Sequence, residues 1–300
     1  MIALTAICNP SQYNSRGIDV IESNFIQPRK IADICAKHKK WLIQFSTSEV
    51  YGQTLSHWMQ NELSPSSNMN PKFYELSERV SPMLMGPVQD LRWSYACAKQ
   101  LLERYILALH QEKGLEYTLI RPFNFLGTRM DFLPGIDGEG VPRVLACFTA
   151  ALLENKPMQL VDGGEAKRTF LAIEEAIEAL LLMIQKPDQA KNQIFNLGNR
   201  ENEITIYELA QSMRKIMAKV TANSDYLDHP MNSVSAENFY GPGYADSDRR
   251  MPNIDLAKNL LGWNPDKNME QILMPILTEA FEKYSKAYRP KEPNIAPVSL

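Results

Sequence analysis

The chain has 300 residues, 44% of them hydrophobic, and a net charge of −3, which suffices for a large core in one compact unit or two intimate subdomains. No global basic field argues for nucleic acid or an anionic membrane, and no apolar run is long enough to cross a bilayer. The first ten residues are apolar but lack a basic leader region, so they read as a buried strand and not as a signal peptide.

Ile2 to Ile7 is a short apolar run ending at Asn9-Pro10 and fits a strand buried on both faces. Residues 18 to 39 carry helical spacing, and Lys37 to Lys40 supply the basic last turn that the helix dipole prefers. Trp41 to Phe45 is a second strand, ending abruptly at Ser46-Thr47-Ser48-Glu49. Residues 53 to 90, polar and rich in proline, read as a long surface excursion over a site. Ser94 is expected to cap the next helix and Gly114 to end it. Tyr117 to Ile120 is a third strand, leading into Arg121-Pro122-Phe123-Asn124. Further helices are expected near 142–155, 173–186, 205–219, 254–261 and 269–287, with short strands near 157–161 and 193–197. The tail from 289 to 300, with three prolines and little apolar surface, is expected to be disordered.

Strands alternating with helices imply a parallel, doubly wound sheet of the α/β class. The cysteines, Cys8, Cys35, Cys97 and Cys147, form no CxxC pair and no Cys/His cluster with zinc spacing. They are expected to be reduced, mostly buried thiols in a reducing compartment, and no metal is expected. His38, His57, His110 and His229 are scattered, and surface or packing roles are expected for them.

In open parallel sheets, ligands sit beyond the carboxyl ends of the strands. Three such ends are polar here: Asn9 to Tyr13, Ser46 to Glu49, and Arg121 to Asn124. Tyr95 and Lys99 lie one helical turn apart on a shared face. An ammonium beside a phenol favours phenolate, so the pair is expected to lower the tyrosine pKa toward that of a usable base. Alone, such a spacing more often marks an ordinary packed Tyr and a solvated Lys.

The ordered set Ser46-Thr47-Ser48-Glu49-Val50-Tyr51-Gly52, Tyr95-x-x-x-Lys99 and Arg121-Pro122-Phe123-Asn124 resembles the core of the extended short-chain dehydrogenases. The likeness continues through Asp162-Gly163-Gly164 with Lys167-Arg168, Asn196-Leu197-Gly198-Asn199, and Tyr244 to Pro252. Within that class the chain most resembles the UDP-glucuronate decarboxylases. The resemblance implies a Rossmann-like sheet over 1–125, a smaller mixed α/β substrate domain over 126–288, and a return to the sheet at about 168–200. It implies NAD as cofactor, a UDP-sugar as substrate, a cytoplasmic location and a homodimer through helices of the sheet domain. By the same resemblance Tyr95 is the base, Lys99 supports it, and Ser48 or Thr47 holds the sugar hydroxyl. Glu49 and Arg250 serve decarboxylation and protonation of the enolate. Tyr95, Lys99, Ser46 and Pro122 contact the cofactor, and Tyr13, Thr47, Arg92, Asn124, Arg168 and Tyr244 contact the nucleotide sugar.

The family opens with a strand, a GxxGxxG turn and a helix that cradle the pyrophosphate of NAD. No GxxGxxG occurs here, and Met1 aligns with the family's fourth strand. A sheet lacking its first strands on the order of eighty residues is expected to expose Ile2 to Ile7 as an apolar edge and to bind NAD poorly. Two rivals remain. One is an epimerase or 4,6-dehydratase, against which stand Ser48-Glu49 in place of a dehydratase's Asp-Glu pair and the pairing of Glu49 with Arg250. The other is a non-catalytic nucleotide-sugar binder, which has no need of the full catalytic set.

Overall fold

The computed structural model describes residues 1–59, 70–241 and 247–284. Among them the strands are β1 (Ile2–Ala3), β2 (Leu42–Phe45), β3 (Glu75–Leu76), β4 (Tyr117–Pro122), β5 (Phe125–Leu126), β6 (Met158–Val161), β7 (Lys167–Thr169), β8 (Leu171–Ala172), β9 (Gln193–Leu197), β10 (Glu203–Thr205), β11 (Met231–Val234) and β12 (Arg249–Pro252).

β1, β2, β4 and β9 form a sheet in that order, every pairing parallel. The register sets Leu42 beside Tyr117 and Phe45 beside Ile120, so alternate residues face opposite sides. Leu42, Tyr117 and Leu119 pack with Cys35, Leu102 and Ile106 of the helices Gln27–Lys37 and Ser94–Lys113. Ile43, Phe45 and Ile120 pack with Ala176, Ala179 and Met183 of the helix Ile173–Gln185 and with Trp263 on the other side. Two covered faces explain why these strands read as continuous apolar runs. The fold is therefore α/β and doubly wound, as expected.

A second core joins the helices Val144–Glu154, Ile206–Thr221 and Met269–Tyr284 to β6 through Phe148, Leu160, Met213 and Leu273. A mixed sheet, ordered β10-β7-β12-β3, stands between the two cores.

Four local expectations need correction. The first strand spans Ile2–Ala3 only: it pairs with β2 alone, Ala3 is buried, and Ile2 and Leu4 are exposed. The region 53–90 is more than a surface loop, because β3 pairs with β12 and buries Leu76. Ser94 does not cap its helix: a 3-10 turn, Leu91–Trp93, leads in, and no side chain caps the end. Gly114 closes that helix in the left-handed region, as read from the sequence. The cysteines are all free, but Cys8 and Cys97 are exposed, so the expectation of mostly buried thiols fails. The tail from 289 lies outside the described residues.

The helix over 17–37 is continuous but contains a π turn at Glu22–Ile26. That wider turn precedes Pro28, whose ring and missing N–H disfavour a regular turn. Asn24, inside it, donates to the carbonyls of Val20 and Ile7 at 2.8 and 2.9 Å, which ties the segment that follows β1 to this helix.

Candidate active site

The site is built where β2 and β4 end. After Phe45 the Thr47 side chain accepts from the Glu49 N–H at 3.2 Å and starts a 3-10 turn, Ser48–Tyr51. The turn closes on Gly52 at φ 70°, where a Cβ would lie 1.8 Å from the Leu84 carbonyl oxygen. Only glycine fits that close backbone approach, which fixes the projection of Glu49.

Tyr95 and Lys99 are both buried on the inner face of the helix Ser94–Lys113. The Tyr95 ring stacks on Tyr13 at 4.9 Å and 12°, and its hydroxyl faces the Thr47 side chain. The expectation of a lowered tyrosine pKa is reversed. Burial raises it well above the ordinary value, Cys8 and Glu49 add to the rise, and Thr47 and Arg143 offset it only in part. Lys99 turns to the strand end, donating to the Phe45 carbonyl at 3.0 Å. Burial lowers its pKa to about 8 against the opposing pull of Cys8 and Glu103.

A buried ammonium has three donors, and here one protein acceptor meets them. The unfolded chain holds the Lys99 proton up to about its ordinary value, whereas the folded protein releases it near 8. This lysine therefore opposes folding fully below about pH 8, and its cost fades as pH rises through the interval above. Lys99→Met is expected to stabilise the protein at neutral pH by about 0.5–2 kcal/mol. Urea unfolding of the two proteins checks this.

Glu49 is gripped by two guanidinium groups. Arg92 Nη1 donates to Oε2 at 2.7 Å, and Arg250 Nη1 lies 3.5 Å from Oε1. Arg92 is 1% exposed and lies over Tyr13 and Trp93 at 5.4 and 5.2 Å. Arg250, on β12, stands in register with Arg168 on β7. One arginine from each of these neighbouring strands, Arg168 and Arg250, thus starts from a shared register position.

Glu49, Arg92, Asn124, Arg168 and Arg250 line a cavity of about 810 Å³. Its far wall is apolar and includes Leu145, Phe148, Phe170 and Phe239. Tyr95, Lys99, Thr47, Ser48 and Tyr13 are buried one layer behind Cys8 and Glu49, which do line it. Asn124, at φ 44°, donates to the Thr169 carbonyl at 2.9 Å, which joins the β4 end to β7. Pro122 closes β4. Tyr244 lies outside the described residues. Ser46 turns inward, donating to Glu103 Oε1 at 2.5 Å.

That inward bond belongs to a buried network the sequence reading missed. Arg121 pairs with Glu103 through Nε and Nη2 at 3.0 and 2.6 Å and donates to the Tyr51 hydroxyl at 2.8 Å. Tyr51 in turn donates to Asn196 at 2.8 Å. The network joins β2, β4, β9 and the Tyr95 helix directly beneath the site. A signal was available: an arginine directly after the apolar run Leu119-Ile120 needs a buried partner. His57, for which a surface or packing role was expected, lines the cavity, as does Asp248, to which the sequence reading gave no role. His229, by contrast, is a packed histidine bonded to the Lys156 carbonyl at 2.8 Å.

Comparison with known proteins gives the family and the fold. The model of the NAD dependent epimerase/dehydratase family matches residues 1–198. The chain is 47% identical over 290 residues to UDP-D-apiose/UDP-D-xylose synthase 2 of Arabidopsis thaliana, covering 96% of this chain and 74% of that protein. It is 48% identical to UDP-D-apiose/UDP-D-xylose synthase of Oryza sativa subsp. japonica, covering 96% and 72%. Among solved structures it is similar to the PbgP3 protein from Burkholderia pseudomallei, with a TM-score of 0.77 and 29% identity over 96% of this chain and 77% of that one. It shares the fold of a UDP-glucuronic acid 4-epimerase mutant from Bacillus cereus solved with NAD, at a TM-score of 0.70 and 18% identity over 94% and 74%. The chain belongs to the NAD-dependent epimerase/dehydratase family.

Proposed function

We propose that the protein decarboxylates UDP-glucuronate through a 4-keto intermediate and forms UDP-xylose and UDP-apiose. The carrying observation is Glu49 held between Arg92 and Arg250 at the cavity wall, in a chain whose close relatives bear the name UDP-D-apiose/UDP-D-xylose synthase. Bound NAD supplies the oxidant for the first step and the reductant for the last. The residues present fit its nicotinamide ribose, since the donors of buried Lys99 that Phe45 leaves unmet suit ribose hydroxyls.

Tyr95 takes the proton of the sugar 4-hydroxyl, and Thr47 and Ser48 hold that oxygen. Oxidation leaves a ketone β to the carboxylate. The bond from C5 to the carboxyl carbon then breaks, carbon dioxide leaves, and the electron pair passes to the ketone oxygen as an enolate. Arg250 offsets the enolate charge, and Glu49 manages the proton that returns to C5. Reduction of the resulting ketone gives the xylose product. The apiose product is an isomer and requires a carbon–carbon rearrangement before reduction. Arg168 and Arg92 offer bidentate donors for diphosphate or carboxylate, and the apolar far wall suits a nucleoside.

Glu49→Gln is expected to lower carbon dioxide release by about 10²-fold or more while leaving oxidation at C4 in place. UDP-glucuronate and NAD would then yield NADH absorbance without matching carbon dioxide. Equal loss of both signals would sink this assignment of Glu49.

The same reading proposes residues 1–125 as the cofactor side and 126–288 as mainly the substrate side, with a cytoplasmic location. It also proposes a homodimer, in which exposed Ile18, Ile21, Ile34 and Leu101 on the helices of one sheet face are covered by a second copy. Light scattering distinguishes a dimer from the 34.2 kDa chain.

A further inference from the structure

The two walls that carry Glu49 and Arg250 are joined a second time. Downstream of Glu49, Thr54 accepts from the His57 N–H at 3.2 Å and begins the short helix Leu55–Trp58. The Thr54 hydroxyl also donates to Asp248 Oδ1 at 3.2 Å across 194 positions of chain. His57 Nδ1 faces the same carboxylate oxygen at 3.5 Å. Gln53 Nε2 lies 3.0 Å from His57 Nε2; with the amide nitrogen donating, Nε2 accepts and Nδ1 carries the ring proton, a buried position whose nearest acidic neighbour is Asp248 at ion-pair distance and not at hydrogen-bond distance. The Asp248 backbone is fixed as well, its carbonyl accepting from the Lys167 N–H at 2.8 Å. Two residues later comes Arg250, 3.5 Å from Glu49. His57 and Asp248 both line the cavity.

We propose that His57 is a positioning residue: with Thr54 it fastens Asp248, and through Asp248 it sets Arg250 against Glu49. Neither His57 nor Asp248 touches the reacting atoms in this account. Their effect is on the distance between two groups that do, and a displacement of about 1 Å at such a pair is worth roughly 10²-fold in rate. The rate consequence rests on the decarboxylase reading. The fastening itself does not.

The test has two arms. In the first, the full chain is labelled with 15N-histidine; with four histidines in the sequence, the ring signals are assignable by substitution. His57 is expected to show an Nδ1-protonated ring whose signals move in both Asp248→Asn and Arg250→Lys. Signals indifferent to either change would overturn the proposal. In the second, carbon dioxide release from UDP-glucuronate is measured for His57→Phe, Asp248→Asn and the double variant. Each single change is expected to lower kcat roughly tenfold or more with KM within about twofold, and the double variant to be no worse than the singles. His57→Asn, which keeps a donor near the Nδ1 position, is expected to restore most of the rate, and His57→Gln is not. Additive losses, or a loss confined to KM, would contradict a positioning role. A wild type that releases no carbon dioxide sinks the decarboxylase reading instead, and the histidine spectrum then decides the fastening alone.

Discussion

Tyr95→Phe is expected to reduce turnover of UDP-glucuronate by about 10³-fold while leaving the fold and nucleotide-sugar affinity nearly unchanged. The substitution removes one hydroxyl and keeps the ring that stacks on Tyr13 at 4.9 Å. The lost hydroxyl is the group that faces Thr47, just past the end of β2. Binding rests on other residues, since the guanidiniums of Arg92, Arg168 and Arg250 at the cavity wall are untouched. Calorimetry with UDP-glucuronate should therefore give wild-type affinity where the assay gives almost no product. The pH profile carries a second signature. Burial holds the Tyr95 phenol above its ordinary pKa, so the phenolate fraction grows with every step in pH across the neutral range. The rate is expected to rise with pH there and not to level off. A plateau beginning below pH 7 would assign the base to another group.

Glu103→Gln is expected to destabilise the protein by about 3–5 kcal/mol. Glu103 meets Arg121 through both oxygens, at 3.0 and 2.6 Å, and also accepts from Ser46 at 2.5 Å. Arg121 is 1% exposed, so removing its counter-ion leaves an arginine charge in the interior with no water to take up the loss. Burial disfavours the guanidinium charge, and Glu103 more than restores it, lifting the arginine pKa above its ordinary value. The paired replacement Glu103→Leu with Arg121→Met removes both charges at once and is expected to lie far closer to wild type than the single change. Urea unfolding of the three proteins separates a buried ion pair from a merely polar cluster. Equal stability of the single and wild-type proteins would contradict the network.

The main sheet was legible because both of its faces are covered: Trp41 to Phe45 and Tyr117 to Ile120 are apolar at nearly every position, and polar residues begin where the strands end. The helix that carries Tyr95 and Lys99 was legible through their spacing and through Gly114. What stayed hidden depends on pairings between distant segments. The apolar run Ile2 to Ile7 pairs only over Ile2–Ala3, and no local pattern states how far a strand finds a partner. Leu76 is buried because β3 pairs with β12, which a proline-rich stretch did not reveal. Thr54 and Asp248 meet across 194 positions, and Glu103 meets Arg121 only once helix and strand are packed. The direction of the Tyr95 pKa was misread for a related reason: spacing gives the neighbour, whereas burial, which dominates here, is a property of the whole fold.

The most direct measurement follows UDP-glucuronate labelled with 13C at the carboxyl carbon, incubated with the protein and NAD and observed by NMR. The account predicts that the carboxylate signal decays into bicarbonate while UDP-pentose signals grow, and that Tyr95→Phe stops both. A carboxylate signal that persists while the sugar is epimerised at C4 would contradict it.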